Sequence, residues 1–379
     1  QERGAPEAAA RHAAAMAAIA RRQGSGELAA MALEIRGAAL LARGERAAGF
    51  ALIDEAMCPV LAGELSALFT GWIYCLALPA AVAAADLRRA VEWTEGAMAW
   101  CAALPAGTPF HGLCRVHRVE VLHLRGAWTE AAEEVERACA ELLVYDPRIA
   151  AEAFSPAGEI AHRRGSAAAA EAAFRRAHQL GRDPQPGLAV LRLAQGRIPA
   201  AAAALRAAVP NAPGGTIGRA RLLAAQVSVA LAAGDAGTAR EAADELSAMS
   251  READPDATLL HALAATASGA VRLAEGGHLD ALTLLHIARD HWLDLGLPYD
   301  LAQVRMLIAA ACRALGDDEG AKLEIDAART TFLRLGAEPD ARRAAALLGT
   351  RSARPGGLTD REVEVLRLIA AGPTNREIA

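Results

Sequence analysis

The sequence predicts an all-α protein built as a solenoid of helix pairs. Three observations carry that reading. Alanine is abundant while aromatic residues are only 4% of the 379, and β-branched residues are sparse; alanine favours helices and β-branched residues favour strands. A pattern of glycine, a small residue five positions later, an apolar residue four beyond and alanine three beyond that recurs along the chain. The recurrences are evenly spaced, which is the mark of a repeat architecture.

The pattern is clearest in "GAWTEAAEEVERA" (Gly126, Ala131, Val135, Ala138) and "GDDEGAKLEIDAA" (Gly316, Ala321, Ile325, Ala328). It returns in "GSAAAAEAAFRRA" from Gly165 and "GRIPAAAAALRAA" from Gly196. Gly44, Gly49, Ile53 and Ala56 fit, as do Gly276, Ala281, Leu285 and Ala288. Gly234, Ala239 and Leu246 fit less fully, and Ala85, Ala90 and Ala97 fit with alanine at the turn. The turn positions 44, 85, 126, 165, 196, 234, 276 and 316 are separated by 41, 41, 39, 31, 38, 42 and 40 residues. Glycine suits a turn conformation that other residues resist. Small residues let paired helices approach, and the apolar residue fills the space between neighbouring units.

This spacing resembles the second helix of tetratricopeptide repeats. The period departs from the family, being near 40 instead of 34, and the aromatic pattern of the first helix is eroded. The resemblance implies an array over residues 1–348 in which each unit packs on its neighbours, forming a superhelix with an extended concave surface. Asp183–Pro186, Pro210–Gly215 and Asp254–Asp256 read as punctuation between helices. "GTRSARPGG", residues 349–357, reads as a linker.

The last segment, "LTDREVEVLRLIAAGPTNREIA" from Leu358 to Ala379, has its own logic. Thr359 and Glu362 form a capping box, Val363, Leu366 and Ile369 share a helical face, and Gly372 supplies a stop. Thr374 and Glu377 form a second box. Two capped helices joined by a glycine-containing turn open a helix-turn-helix. The run Leu358-Thr359-x-Arg361-Glu362-x-Glu364-Val365-Leu366, then Gly372-x-Thr374-Asn375-x-Glu377-Ile378-Ala379, resembles the start of the LuxR-type DNA-binding domain. That resemblance implies a transcriptional regulator that binds promoter DNA, with the groove-reading helix encoded beyond Ala379. Within this chain, Thr374, Asn375 and Arg376 stand at a helix start, where backbone amides favour a phosphate. Some large regulators of this type carry an ATPase domain ahead of their repeats. No phosphate loop occurs here, so such a domain would precede Gln1.

Charge separates the two parts. The chain carries a net charge of −5, and the segment from Arg351 onward has five arginines against four acids. An acidic body makes a poor nucleic-acid surface, because binding to phosphates rests on cations. DNA contact is therefore expected of the tail. An effector or protein partner is expected on the array, with homodimerisation a further expectation. A scaffold for protein partners without any DNA role remains the alternative.

Six cysteines, Cys58, Cys75, Cys101, Cys114, Cys139 and Cys312, show no paired framework, which suits reduced thiols in a cytoplasmic protein. Leu65–Ala85 lacks charge over 21 residues. That length would span a bilayer, but a helix buried in an alanine-rich array is the favoured reading. No nucleophile elbow or H-E-x-x-H occurs, so no enzyme and no cofactor is expected. His111, Cys114, His117 and His123 are the densest group of metal-ligand types, yet their spacing completes no tetrahedral site. His286, Asp290 and His291 beside Trp292 read as a solvated face. Trp72, Tyr74, Trp93 and Trp100 are candidates for a ligand groove, though core filling, as for Trp128, is the preferred account.

Overall fold

The computed structural model describes residues 5–105, 108–145, 147–212 and 216–349. Among them are eighteen α-helices and one 3-10 turn, Val209–Asn211, with no strand. After α1 (Ala5–Gln23) come helix pairs α2 (Gly26–Ala42) with α3 (Arg46–Leu61), and α4 (Ala67–Ala83) with α5 (Leu87–Ala102). The third and fourth pairs are α6 (Pro109–Arg125) with α7 (Trp128–Tyr145), and α8 (Pro147–Arg163) with α9 (Ala167–Gln179). Then follow α10 (Gly187–Ala194) with α11 (Ile198–Ala208), and α12 (Thr216–Ala233) with α13 (Ala236–Glu252). The last are α14 (Thr258–Ala274) with α15 (His278–Asp294), α16 (Pro298–Ala314) with α17 (Asp318–Leu335), and finally α18 (Glu338–Gly349). The all-helical repeat predicted from the sequence is the observed fold.

Each pair is joined by a turn of two or three residues, built the same way. All eight turn positions have positive φ, Ala85 among them at 53°. The residue after each turn position returns its amide to a carbonyl five residues back: Glu45 to Leu40, Asp86 to Ala81, Asp317 to Cys312. This closes the first helix as a Schellman motif. The same residue often starts the second helix. The carboxylates of Asp86, Asp235 and Asp317 accept the amides of Arg89, Thr238 and Gly320, satisfying donors that the helix leaves open.

The small positions are contact points. Ala90, Ala131, Ala170, Ala201, Ala239, Ala281 and Ala321 are all fully buried. In the first pair the place is taken by Gly49, whose α-carbon faces Gly37 of α2. A Cβ on Gly49 would stand 2.9 Å from the Gly37 carbonyl oxygen, and one on Gly37 would stand 2.7 Å from that of Gly49. Backbone meets backbone there. The period near 40 comes from helix length, since most helices run 16 to 18 residues. The one short interval, from 165 to 196, coincides with short helices of 13 and 8 residues.

The array does not contact only its neighbours, as the repeat pattern implied. Its coil returns, so that α6 to α8 meet α16 to α18. Gly126 lies against Leu335 and Pro298, and Gly165 against Pro339. One core cluster accordingly spans Ala85, Trp128 and Ile160 on one side and Tyr299, Phe332 and Ala341 on the other. A tight superhelix brings distant units within van der Waals reach, which a one-dimensional repeat pattern does not encode.

The uncharged stretch Leu65–Ala85 contains α4, which buries Ile73, Tyr74, Ala77, Leu78 and Ala81 in the array. Among the described residues no helix is long and apolar enough to cross a membrane. Gly349, expected to open the linker, is the last residue of α18. The rest of the linker and the Leu358–Ala379 motif lie outside the described residues. The Asp183–Pro186 and Asp254–Asp256 loops fall between helices as read; Pro210 sits in the 3-10 turn between α11 and α12, and residues 213–215 lie outside the described residues.

Replacing Gly49 by alanine should destabilise the protein by about 1–3 kcal/mol, because the added methyl meets the Leu41 side chain at 2.8 Å and the Gly37 carbonyl oxygen at 2.9 Å, and the backbone oxygen cannot rotate away. Denaturant titration tests this, and an unchanged midpoint would refute the close crossing. A second prediction concerns Glu34 of α2, which is fully buried with neither carboxylate oxygen meeting a hydrogen-bond partner among the described residues. Burial pushes its carboxyl up to about 8. The folded chain thus holds a proton that the unfolded chain releases, and stability should fall as pH rises from the ordinary carboxylate range to about 8. The loss is on the order of 2–4 kcal/mol. Thermal unfolding at several pH values should show that decline in the parent and a flatter profile in Glu34→Gln.

Candidate functional site

The seam where the coil closes holds the densest buried polar chemistry described. Its first part is aromatic. Gly126 ends α6, and α7 begins at once with Trp128, whose indole N–H donates to the His123 carbonyl at 3.1 Å. Across the seam, Pro298 starts α16 and fixes Tyr299 in its first turn. The Tyr299 ring stands edge-on to Trp128 at 5.6 Å and to Phe332 at 5.9 Å. Tilted aromatic pairs at such distances are favourable.

Charge is then laid on this surface. Arg163, the last residue of α8, places its guanidinium 4.1 Å from the Tyr299 ring and 5.8 Å from that of Trp128, a cation–π arrangement. One turn earlier, Glu159 lies 3.6 Å from Arg163 and 3.1 Å from His123 Nε2. Burial opposes charge on Glu159, but the His123 hydrogen bond and the charges of Arg163 and Arg221 hold its carboxyl down, to about 2. Burial and Arg163 lower His123. The consistent state is a neutral imidazole donating Nε2–H to an ionised Glu159, a tautomer assigned from the network. Nδ1 of His123 is buried without a partner.

The α18 helix joins through a second chain of bonds. The Tyr299 hydroxyl donates to Asp340 Oδ2 at 3.0 Å, and burial raises that phenol. Arg343 contacts Asp340 Oδ1 at 2.8 Å and donates to Gln303 Oε1 at 2.9 Å. At the far end of α18, Arg313 donates to the Leu347 carbonyl at 2.6 Å. The helix that leads toward the C-terminal segment is thus bound at both ends to the closed coil.

Beside the seam runs a groove of about 660 Å³ between α5 and the α15–α16 corner. Leu87, Val91, Leu297 and Leu301 line it with apolar groups, and three arginines, Arg88, Arg125 and Arg334, line it together with two glutamates, Glu92 and Glu95. Such a surface can take a chain segment carrying apolar side chains.

The four aromatic candidates do not form one lining. Tyr74 and Trp93 are each 3% exposed, and Trp100 packs 6.0 Å from Tyr74 and 5.3 Å from Phe110. Those three fill the core of the first units. Trp72 points elsewhere, 52% exposed, with Leu68 and Leu76 exposed one turn to either side. His111 contacts Thr108, Cys114 contacts Cys101, His117 lies 4.0 Å from Glu120, and His123 faces Glu159. These four therefore diverge, and no described group of three His, Cys, Asp or Glu could hold a metal. Near the other histidines, Asp290 pairs with Arg289, His291 stacks near His261, and Trp292 is buried and bonded to Thr266. Thr374, Asn375 and Arg376 lie outside the described residues. The seam residues Glu159, Arg163, Tyr299 and Asp340 carry no local motif, and their pairing depends on the closure of the coil.

These features define a closed helical-repeat solenoid. No family model matches the sequence, and no curated protein matches it significantly. Among solved structures, the chain is similar to BtubC (BKLC) from P. vanneervenii, with 17% identity and a TM-score of 0.35, over 60% of this chain and 92% of that one. It is also similar to NprR in complex with its cognate peptide NprX, with 13% identity and a TM-score of 0.44, over 80% of this chain and 95% of that one. These likenesses are of helical-repeat fold alone.

The low carboxyl of Glu159 sets an acid dependence. Its stabilising contribution is complete above the ordinary carboxylate range and is lost as pH falls through about 2. Glu159 is one-third exposed, so screening reduces the contribution to on the order of 1–2 kcal/mol. Glu159→Gln should therefore unfold at lower temperature than the parent at neutral pH, and the two curves should converge as pH falls from 4.5 toward 2. A constant difference across that range would remove Glu159 ionisation from the seam.

Proposed function

We propose that this chain is the regulatory helical-repeat region of a DNA-binding transcriptional regulator, and that closure of the seam is the state it regulates. The carrying observation is the position of α18. That helix is pinned to the seam through Asp340 and Leu347, and the sequence following it leads to the LuxR-like segment from Leu358. A partner that favours the open or the closed seam would therefore reposition the chain leading to the DNA-binding domain. Such a shift needs only unequal affinity for the two states.

The expected partner is a peptide or protein segment in the groove between α5 and the α15–α16 corner. Promoter DNA engages the complete C-terminal domain, with Thr374, Asn375 and Arg376 at a phosphate, and pairing of two copies suits a two-fold operator. The role is binding and not catalysis, and its place is the cytoplasm. The exposed Leu68, Trp72 and Leu76 stripe favours protein contact, which is also what a scaffold without a DNA role would show.

One experiment separates these readings. The protein carrying its complete C-terminal domain is used to select from random duplexes, and the enriched duplex is titrated. Specific enrichment is expected. Arg376→Ala should weaken binding across sequences and reduce the salt slope by about one. Tyr299→Phe, which removes the Tyr299–Asp340 bond and leaves the Arg313–Leu347 bond in place, should change the affinity several-fold while the helical content stays unchanged. No enrichment would leave the scaffold reading, and enrichment unaffected by Tyr299→Phe would refute the coupling.

A further inference from the structure

Cys101 and Cys114 face one another across α5 and α6 with their sulfurs 3.1 Å apart. Both are buried, at 2% and 1% exposure. A disulfide bond is about 2 Å long, so bonding requires the sulfurs to close by roughly 1 Å. Cys101 is the next-to-last residue of α5, and its sulfur also contacts the Phe110 carbonyl, at 3.5 Å, in the first turn of α6. A helix end and a helix start, close in sequence, can make that movement without crossing the core. Ala102 and Ala103, immediately beyond Cys101, are exposed.

The two sulfurs are electrostatically unequal. A hydrogen bond from Cys114 favours the Cys101 thiolate against the effect of burial, and the charge of Arg115 adds to it. The Cys101 contact and burial raise Cys114 far above the thiol range. Cys101 is thus the better nucleophile, and Cys114 keeps its proton. Cys75 of α4, close enough to feel both, is pushed up to about 12 by burial and stays a thiol.

We propose that Cys101 and Cys114 form a modification site for hydroperoxides, closing to a disulfide that staples α5 to α6. The Cys101 thiolate attacks one peroxide oxygen. The O–O bond breaks, Cys101 becomes a sulfenic acid, and the departing oxygen takes a proton. The Cys114 sulfur then attacks the Cys101 sulfur. The S–O bond breaks, and the departing hydroxide takes the Cys114 proton as water. With hydrogen peroxide, two thiols give one disulfide and two waters, the two electrons passing to the peroxide. Trp100 adjoins the site and packs on Phe110, so its environment changes with the bond. The other end of the stapled α5 is the Leu87 and Val91 wall of the groove.

The test is treatment of the intact protein with hydrogen peroxide, alkylation of remaining thiols and peptide mapping. The expected product is a linked Cys101–Cys114 peptide, lighter by about two mass units and restored by dithiothreitol, with a shift in tryptophan emission. Cys114→Ser should trap a Cys101 sulfenic acid that dimedone labels, whereas Cys101→Ser should leave Cys114 unlabelled. The proposal is overturned if both cysteines remain alkylatable at peroxide levels that oxidise the exposed Cys58. A Cys75–Cys101 link, or dimedone on Cys114, would overturn it equally. The wild-type map decides the matter even if a variant fails to fold.

Discussion

The architecture depends on the approach of two helix backbones immediately after a left-handed turn. At each turn the chain must adopt positive φ, which glycine takes without strain and Ala85 takes at some cost. Five residues later a side chain no larger than a methyl group must face the partner helix. Where Gly49 meets Gly37, even that methyl group is excluded. Helix lengths, apolar fillers and loops are arranged around this crossing, which recurs eight times along the described chain.

Repetition of one crossing generates a coil, and the coil's closure creates a different kind of contact. Within a pair, alanine and leucine pack by shape, with single ion pairs such as Arg115–Glu134 and Arg305–Glu324 alongside. At the seam, tryptophan, tyrosine, arginine, glutamate and histidine meet in partial burial. Desolvating such charges costs several kcal/mol apiece and is recovered only when geometry and hydrogen bonds are good. Net stabilisation by the seam is therefore small compared with its specificity. A contact of that kind can be opened by a modest binding energy, unlike the alanine-lined interior of each unit. This is the physical reason to expect the seam to open before the helix pairs separate.

The chain shows what a one-dimensional pattern can and cannot carry. The eight turn positions, the buried small residues and the helical class were all legible, because each arises from residues within one helix pair. Burial of Tyr74 and Trp93 followed from the ordinary behaviour of large rings. Trp72 broke that rule only because its face of α4 has no neighbour among the described residues. Glu159, Arg163, Tyr299 and Asp340 were not legible. No spacing joins them, and each alone reads as a common helix-surface residue.

Local sequence by itself determined where each helix turns, which residue of each pair must be small, and that the helices stack as repeats. Those features rest on φ, on side-chain size and on 3.6-residue periodicity, all properties of short segments. Only the tertiary structure decided that the coil closes, which charges are thereby buried together, and that α18 is held at both ends. Closure depends on small rotations between units that accumulate over the whole array, and no short segment contains that sum.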